Sequence, residues 1–368
     1  MKKPVALVLG PSLEAISGVT THVNALLASR LAATYSLVHF QVGSEGRRES
    51  AVGKALRFAT SPLALAGRIV RHDAAIVHVN CSLNAKSWWR DLAYVAVAKL
   101  CGARVVFQKH GGELQQFVGN GVFRRFARWV LTLPDVIVVL SQAEMDAYER
   151  FVPGQNIALV PNGIDPSPYL VYNRRPADPA APLKLLYIGR LAPGKGLAET
   201  LEALALARAA GARAVLTIAG SGPEEARLRA QARALELGER VIFAGPAWGD
   251  YKTKLLNNAD VLMLPSYSEG LPYSLLEGMA AGVVPLVTPV GAIPDVVTEG
   301  VHGHLVPVRN AKAIAEKLLV LQQDRAALAR MSQACRARVL SGYSLERLAQ
   351  DFSAVYSTLL SWPASQAG

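Results

Sequence analysis

Two glutamates that lie eight positions apart are the residues of this sequence best suited to chemistry. They are Glu269 and Glu277, at the ends of the segment EGLPYSLLE. Glu269 lies in a glycine-proline turn after a strand-like run, and Pro272 suits a first helical position, where a missing N–H costs nothing. Glu277 then falls about a turn and a half into that helix. N–H groups at the start of the helix point into the space between the carboxylates and suit phosphate oxygens. The segment therefore predicts a ligand with hydroxyls at both ends and phosphates in the middle, as in a nucleotide-diphosphate sugar.

Two cations lie on a glycine-rich loop upstream of this segment. The run GRLAPGKG (189–196) follows a strand-like stretch and places Arg190 and Lys195 five positions apart, ahead of a helix. Glycines allow close approach of the backbone, and guanidinium and ammonium groups neutralise a diphosphate. Two solvated cations beside a turn would explain the loop equally well on its own. The presence of 269–277 further along the chain favours diphosphate binding. The next strand–turn–helix, AGSGPEEARL (219–228), is interpreted as a tight structural turn.

The first half of the chain carries a weaker phosphate motif. The run PSLEAISGVTTHVNALL (11–27) opens a helix near Gly18 but lacks G-x-G-x-x-G spacing, which disfavours a dinucleotide site. Gly18, Val19 and Thr20 offer N–H groups to a phosphate, although a plain loop and a capped helix explain the same pattern. His22 is interpreted as incidental.

A histidine with two glycines follows the strand-like run Arg104–Gln108. The motif is KHGGE (109–113), and it places His110 at the carboxyl end of a strand, where parallel sheets bind ligands. A loop histidine with satisfied hydrogen bonds is the simpler explanation when the motif is taken alone. Glu113 is either a general base or a bystander, and the sequence does not decide between them.

One helix-like run interleaves arginines with aromatic residues. In VFRRFARWV (122–130) the arginines are Arg124, Arg125 and Arg128, and the aromatic residues are Phe123, Phe126 and Trp129. Such a helix either lies on an anionic bilayer or packs on its own sheet. The neighbouring Trp88-Trp89-Arg90 and the basic stretch Arg47–Arg71 favour the bilayer.

Composition limits the class of protein. With 368 residues, 51% of them hydrophobic and 18% charged, the chain is globular and long enough for two domains. We expect no membrane span, because no uncharged apolar run reaches about 18 residues. We also expect no signal peptide, because the apolar stretch of MKKPVALVLG is short, is interpreted as a buried first strand and is not followed by a small-residue cleavage site. Three widely spaced cysteines predict reduced thiols in a cytoplasmic protein, without a zinc site or disulfides.

The net charge of +11 is concentrated in the first half of the chain. Residues 1–180 hold 20 Lys and Arg against 12 Asp and Glu, a balance of +8. This excess predicts an anionic partner for the first half. Nucleic acid is disfavoured because no nucleic-acid-binding signature accompanies the charge. No D-x-D, H-x-x-x-H or cysteine pair is present, so we expect Arg190, Lys195 and helix termini to handle the diphosphate without a metal.

Strand-like runs alternate with helix-like stretches along the whole chain, which predicts parallel α/β sheets. The predicted strands of a first sheet are Val5–Leu9, Leu37–Val42, Ala75–Val79, Arg104–Gln108, Val136–Leu140 and Ile157–Val160. Those of a second sheet are Leu183–Ile188, Ala214–Ala219, Val241–Ala244, Asp260–Leu264 and Val284–Thr288. We predict two doubly wound, Rossmann-like domains facing a ligand cleft: an acceptor-side domain over 1–170, a proline-rich linker over 171–182 and a nucleotide-sugar domain over 183–344. A last helix is predicted over 345–360.

Taken together, these motifs resemble the large retaining glycosyltransferase family numbered 4, which has the GT-B fold. The resemblance covers nearly the whole chain and rests on GRLAPGKG, AGSGPEEARL and the E-x7-E of EGLPYSLLE, in that order, with VPNGID (160–165) ahead of the linker. It implies that the last helix crosses back to the first domain. The chain departs from the family pattern at Asp295, where the family often has glutamate, so a role for this residue stays open.

The resemblance also implies roles for individual residues. Arg190 and Lys195 would bind the donor diphosphate, and Glu277 would hold the ribose hydroxyls. Glu269, with the backbone of Gly270, Leu271 and Pro272, would hold hydroxyls of the transferred sugar. Gly18 would approach the phosphate, and His110 matches a family histidine near the reacting end of the sugar.

We therefore expect a metal-independent, retaining hexosyltransferase without a cofactor. Its donor is a UDP- or GDP-linked sugar, and its acceptor is a glycan or lipid-linked intermediate of surface polysaccharide synthesis. We expect same-face attack assisted by the leaving phosphate, and peripheral contact with the inner face of the membrane. Two alternatives remain at this point: a sugar-nucleotide epimerase or phosphorylase-type enzyme of the same fold, and a non-catalytic, membrane-associated assembly subunit.

Overall fold

The computed structural model describes residues 2–44, 49–83, 85–170 and 181–361. The chain divides into two compact units, one formed by Met1–Gly163 with Leu345–Gly368 and the other by Ile164–Ser344. Each unit holds one six-stranded sheet whose paired strands are all parallel. The prediction of two parallel α/β sheets is confirmed.

The first unit is built on a sheet with the spatial order β2-β1-β3-β4-β5-β6. Its strands are β1 Val5–Gly10, β2 Ser36–Gln41, β3 Ala74–Ser82, β4 Arg104–Gly111, β5 Val136–Val139 and β6 Ile157–Leu159. The helices before residue 163 are α1 Gly18–Ala28, α2 Leu31–Thr34, α3 Ala51–His72, α4 Ala85–Leu100, α5 Leu114–Val118, α6 Val122–Val130 and α7 Gln142–Phe151. All six residues of β1, VALVLG, are buried, because an interior parallel strand is covered on both faces.

The second unit has a sheet with the order β12-β11-β10-β7-β8-β9. Its strands are β7 Leu183–Ile188, β8 Ala214–Ala219, β9 Val241–Gly245, β10 Val261–Leu264, β11 Val284–Val287 and β12 His304–Leu305. Its helices are α8 Ser167–Leu170, α9 Leu197–Ala209, α10 Glu225–Ala234, α11 Gly249–Asn258, α12 Tyr273–Ala280, α13 Ile293–Val296, α14 Ala311–Gln323 and α15 Arg325–Gly342, with a 3₁₀ turn at Gly238–Arg240. The sequence analysis did not predict β12, which at two residues is too short to show a periodic pattern.

The last helix, α16 Leu345–Ser361, follows the second unit in the chain but belongs to the first. Its buried residues, Leu348, Phe352, Tyr356 and Leu359, recur every three or four positions and form one face. They pack in the same core as Ala6 and Val8 of β1. The opposite face of the sheet, which includes Leu7 and Leu9, packs against α3 to α7 in a second core.

The boundary between the units lies seven residues before the predicted one at residue 170. The short helix α8 belongs to the second unit, where Tyr169 is buried and its side chain hydrogen-bonds to Glu277. The sequence places residues 164–170 in the first domain because the proline-rich run that follows them predicts the border. Most of the predicted linker, 171–180, lies outside the described residues. Among the described helices, none combines the length and the apolarity that a membrane span requires.

Candidate functional site

The loop after β7 and the segment after β10 contact each other directly. These strands are neighbours in the second sheet, so their carboxyl ends meet at one edge. The backbone N–H of Tyr267 donates to the carbonyl of Gly194 at 2.8 Å. Nearby, Lys195 Nζ donates to Glu269 Oε1 at 2.6 Å, and both side chains are partly buried. The structure thus brings together two predicted residues that lie 74 positions apart in the chain.

Backbones in this region approach so closely that only glycine fits at two contact points, one between the loops after β7 and β10 and one between the segments after β10 and β11. A Cβ added to Gly196 would lie 2.0 Å from the carbonyl oxygen of Pro265, and one added to Gly291 would lie 2.1 Å from that of Glu269. Both glycines also have positive φ, 69° and 58°, a conformation that residues with a Cβ rarely adopt. The position of Glu269 is therefore set by backbone contacts on two sides.

Arg190 lies on the same loop as Lys195 and has an exposed side chain. The hydroxyl of Tyr187, near the end of β7, donates to the backbone carbonyl of Arg190 at 2.8 Å. Burial raises the pKa of Tyr187; the charge of Glu269 raises this pKa further, and that of Arg190 lowers it. The Tyr187 hydroxyl thus holds the backbone of Arg190 next to the end of β7.

The segment 219–228 supports the arginine loop. The N–H of Leu191 donates to the carbonyl of Ser221 at 2.9 Å, and the N–H of Glu224 donates to the carbonyl of Leu191 at 3.0 Å. A Cβ on Gly220 would lie 1.8 Å from the carbonyl oxygen of Gly189. This segment is a structural support, in agreement with its interpretation as a tight turn.

Glu277 lies in α12 with only 6% of its surface exposed. Its Oε1 accepts from Lys252 Nζ of α11 at 2.6 Å. Tyr169 also hydrogen-bonds to this carboxyl, and burial together with the charge of Glu277 raises the pKa of Tyr169. The sequence analysis placed Pro272 at the first position of this helix, whereas in the structure Pro272 is the N-cap of α12. Glu277 still falls in the second turn. Glu277 is a buried carboxylate whose charge is balanced by a lysine that the sequence analysis missed.

The phosphate motif of the first unit is only partly available to a ligand. Helix α1 begins at Gly18, and the N–H of Thr20 donates to the side chain of its N-cap, Ser17, at 3.2 Å. The N–H of Thr20 is thus engaged by the helix cap, as the capped-helix alternative of the sequence analysis expects. A Cβ added to Gly18 would meet no atom of the described residues within 4 Å, so space is open there. A phosphate contact at Gly18 stays a prediction.

His110, at the end of β4, belongs to a cluster of histidines. Its Nε2 lies 2.6 Å from Oδ1 of Asn80, and its ring centroid lies 4.6 Å from that of His22. His22 is fully buried, so its side chain is enclosed in the first unit. His78, also buried, contacts Tyr356 of α16 through Nδ1 at 2.8 Å and Gln108 through Nε2 at 2.9 Å.

Burial keeps these histidines uncharged. It lowers the pKa of His22 to about 4 and, together with the charge of His22, that of His78 to about 3. It also lowers the pKa of His110 well below the ordinary value, with smaller contributions from His22, His78 and Lys109. The cluster therefore supplies hydrogen bonds and not positive charge at neutral pH.

Glu113 and Asp295 are the two carboxylates whose roles the sequence analysis left undecided. Glu113 is exposed and lies just before α5, where its side chain does not cap the helix. Asp295 lies in α13, and its backbone carbonyl accepts from Arg338 at 2.6 Å and from Tyr343 at 3.1 Å. These contacts hold the backbone of Asp295 and do not involve its carboxylate.

Helix α6 packs on its own unit with the aromatic face inward. Phe123 and Phe126 lie against the core of the first unit. The outer face carries Arg124, Arg125, Arg128 and Trp129, all exposed. Trp88 is 1% exposed and unavailable to a membrane, whereas Trp89 is 51% exposed and stacks on Phe126. Arginines and single tryptophans, not the phenylalanines, therefore form the outward surface.

The three cysteines are free thiols: Cys81 and Cys335 are buried and Cys101 is partly exposed. Over the ranges that the structure describes, no three His, Cys, Asp or Glu side chains converge as a metal site would require.

Lys252 and Asn80, which the sequence analysis missed, act through contacts with distant parts of the chain, whereas Tyr187 contacts Arg190 three positions further on. Lys252, Tyr187 and Asn80 follow no motif spacing and are recognised only from their partners in the structure. His22 did carry a signal: it lies four positions after Gly18, on the same side of α1.

Comparison with known proteins identifies two family models along the chain. The model described as Glycosyltransferase Family 4 matches residues 17–168, and that described as Glycosyl transferases group 1 matches residues 173–338. A glycogen synthase of Mycobacterium tuberculosis is 30% identical over 283 residues, 74% of this chain and 68% of the relative. WcaL of Escherichia coli, a putative colanic acid biosynthesis glycosyltransferase, is 30% identical over 56% of this chain and 52% of its own. Among solved structures, HepE of Anabaena in complex with UDP-glucose superposes with a TM-score of 0.76 at 16% identity, over 96% of this chain and 99% of its own.

The glycine contacts predict a local effect of Gly220→Ala. The new methyl group would overlap the carbonyl of Gly189, so we expect the arginine loop to shift at a cost of about 1–3 kcal/mol in the free energy of unfolding. Hydrogen exchange followed by mass spectrometry should show faster exchange over 189–195. The matched control is Gly67→Ala in α3, where a Cβ meets open space and stability should rise by about 0.5–1 kcal/mol. Unchanged exchange in Gly220→Ala would contradict the supporting role.

The buried histidines predict acid sensitivity. The pKa of His22 is about 4 in the folded chain against 6.5 as a reference, so the unfolded chain takes up a proton first as the pH falls. The free energy of unfolding should therefore fall between pH 6.5 and 4, by about 3 kcal/mol from His22 alone. Urea unfolding across this range tests it. His22→Gln should flatten the dependence, whereas His72→Gln in α3 should not; a flat wild-type profile would contradict the prediction.

Proposed function

The chain belongs to the glycosyltransferases of the GT-B type, and we propose that it transfers a hexosyl sugar, with retention of configuration, from a nucleotide-diphosphate sugar to a glycan or lipid-linked acceptor. The observation that carries this proposal is the contact between Lys195 and Glu269. The loop that holds Lys195 also presents the exposed Arg190. A cation pair beside a carboxylate matches a ligand in which a diphosphate adjoins a polyol.

Arg190 and Lys195 have the chemistry that the leaving group needs. Negative charge grows on the β-phosphate as the glycosidic bond breaks, and fixed cations that stabilise this charge lower the barrier. We propose that the diphosphate competes with Glu269 for the ammonium of Lys195. The released carboxylate then accepts hydrogen bonds from hydroxyls of the sugar, next to the backbone of Gly270, Leu271 and Pro272.

Glu277 is proposed to hold the ribose. A carboxylate accepts hydrogen bonds from two neighbouring hydroxyls, and Lys252 balances its charge in a buried place. In the first unit, Gly18 and His110 are proposed to contact the phosphate and the sugar. We propose same-face attack assisted by the leaving phosphate, with the diphosphate charge handled by protein cations and without a metal or cofactor.

The donor and acceptor classes rest on the relatives. HepE was solved with UDP-glucose, which supports a UDP-linked donor, with GDP-linked sugars as the second candidate. WcaL is described as acting in colanic acid biosynthesis, which supports a surface polysaccharide as the product. We propose that the protein works in the cytoplasm and that the basic first half serves the acceptor side.

Lys195→Ala tests the proposed chemistry. If its charge acts on the transition state, turnover should fall by about 10²-fold or more, whereas Lys312→Ala, an exposed lysine of α14, should stay near wild type. The assay follows hydrolysis and transfer over UDP-, GDP- and ADP-sugars with EDTA present, and NMR reads the anomeric configuration of the product.

Each other outcome of this assay points elsewhere. If the turnover of Lys195→Ala stays within a few-fold of wild type, the charge of Lys195 does not act on the transition state. A product with inverted configuration contradicts retention. Activity that EDTA abolishes contradicts metal independence. An epimerised donor indicates an epimerase. A panel that shows neither turnover nor binding favours the non-catalytic subunit.

We also propose that the outer face of α6 contacts an anionic membrane. The face presents Arg124, Arg125 and Arg128 with the exposed Trp129, a combination that suits anionic headgroups and the interface beneath them. Because Phe123 and Phe126 face the core, the contact is electrostatic with one tryptophan anchor and does not bury the whole aromatic face.

Charge reversal on α6 tests this contact. Arg124→Glu with Arg128→Glu should lower the fraction bound to phosphatidylserine-containing vesicles at least about tenfold, since each basic residue near such a surface contributes about 1 kcal/mol. The matched control is Arg213→Glu with Arg240→Glu, two exposed arginines of the second unit that make the same change in net charge. Flotation with vesicles measures it; equal loss in both pairs would show that only net charge matters.

A further inference from the structure

The amide of Asn80 lies between a backbone carbonyl and His110. Asn80 is 4% exposed and belongs to β3, whose sheet neighbours are β1 and β4. Its Nδ2 donates to the carbonyl oxygen of Leu9 in β1 at 2.9 Å. Its Oδ1 lies 2.6 Å from Nε2 of His110 in β4. Three adjacent strands thus hold the two ends of one amide.

These two contacts determine which ring nitrogen of His110 carries a proton. A carbonyl oxygen only accepts, so the NH₂ end of the Asn80 amide must face Leu9. The oxygen end then faces His110, and it also only accepts. Nε2 of His110 must therefore be the donor and carry hydrogen. In an uncharged imidazole the other nitrogen, Nδ1, is then without hydrogen and is an acceptor.

The surroundings of His110 disfavour a second proton on the ring. Burial lowers its pKa well below the ordinary value, and His22, His78 and Lys109 lower it further. Lys109, the adjacent residue in β4, is 3% exposed and forms an ion pair with Glu144 of α7. The carboxylate of Glu144 is therefore engaged by the ammonium of Lys109.

We propose that Asn80 is a positioning residue that holds His110 as the uncharged Nε2–H tautomer and presents Nδ1 as a hydrogen-bond acceptor. The Leu9 carbonyl fixes the amide, and the amide fixes the ring. The catalytic meaning rests on the proposed function: a histidine held in this form accepts a hydrogen bond from a hydroxyl of a bound sugar and does not donate a proton from Nδ1. The tautomer itself does not depend on any substrate.

The tautomer is measured directly by long-range ¹H–¹⁵N NMR on the full-length, ¹⁵N-labelled protein at neutral pH, with no ligand added. His110→Gln identifies the signals of His110 by their loss. We expect one protonated nitrogen, Nε2, and one bare nitrogen, Nδ1. In Asn80→Ala the acceptor is gone, and the two nitrogens should shift towards averaged values as both tautomers become populated. The matched control is Asn24→Ala, which removes an exposed asparagine whose amide donates to the carbonyl of Leu13 at 3.0 Å.

The wild-type spectrum alone decides the proposal, whether or not Asn80→Ala folds. A proton on Nδ1, or a charged ring at neutral pH, would overturn it. So would a folded Asn80→Ala that keeps the wild-type pattern. If transfer is found, kcat/KM of Asn80→Ala should fall by about 3- to 10-fold, the loss of one neutral hydrogen bond. A silent nucleotide-sugar panel would overturn the proposed function and leave the tautomer result standing, so the two failures are distinguishable.

Discussion

The 2.6 Å contact between Lys195 and Glu269 joins two loops whose backbones touch each other. The side chains keep only 26% and 14% of their surface exposed, so removing either partner would leave a poorly solvated charge. Backbone contacts on both sides hold the pair in place: Gly194 and Gly196 are fixed against Tyr267 and Pro265. A ligand that separates the pair must supply a charge of its own to Lys195, and a diphosphate does this.

The glycines of this region are needed because neighbouring backbones touch. At Gly220 an added methyl group would overlap the carbonyl of Gly189, and at Gly291 it would overlap that of Glu269. These contacts position the loops through backbone atoms and not through side chains, which can change rotamer. The support reaches Arg190 from two directions, because the hydroxyl of Tyr187 also holds its carbonyl. The guanidinium can thus stay exposed while its attachment point is fixed.

Features that depend on a local sequence pattern, such as strands and helix positions, were predicted from the sequence. Pairs of residues that are distant in the chain were not. Every predicted strand is present, and the interior strands are the clearest because buried parallel strands are continuous apolar runs. The E-x7-E spacing placed Glu277 correctly in its helix. Lys252 pairs with Glu277 across 25 positions, and no spacing rule announces such a pair. Helix α6 shows a different limit: the spacing of Phe123 and Phe126 predicts that they share a face, but only the packed unit shows that this face points inward.

The two units handle polar chemistry in different ways. In the second unit, lysines face carboxylates, so charge is present and balanced at Lys195 and at Glu277. In the first unit, burial keeps three histidines uncharged, and their hydrogen bonds run through Asn80, Gln108 and Tyr356. Uncharged imidazoles bind hydroxyl groups without a change in charge. Because a neutral donor or acceptor is directional, the value of such a cluster lies in which nitrogen carries the proton. The amide of Asn80, held by a backbone carbonyl, therefore matters to this cluster as much as the ring that it contacts.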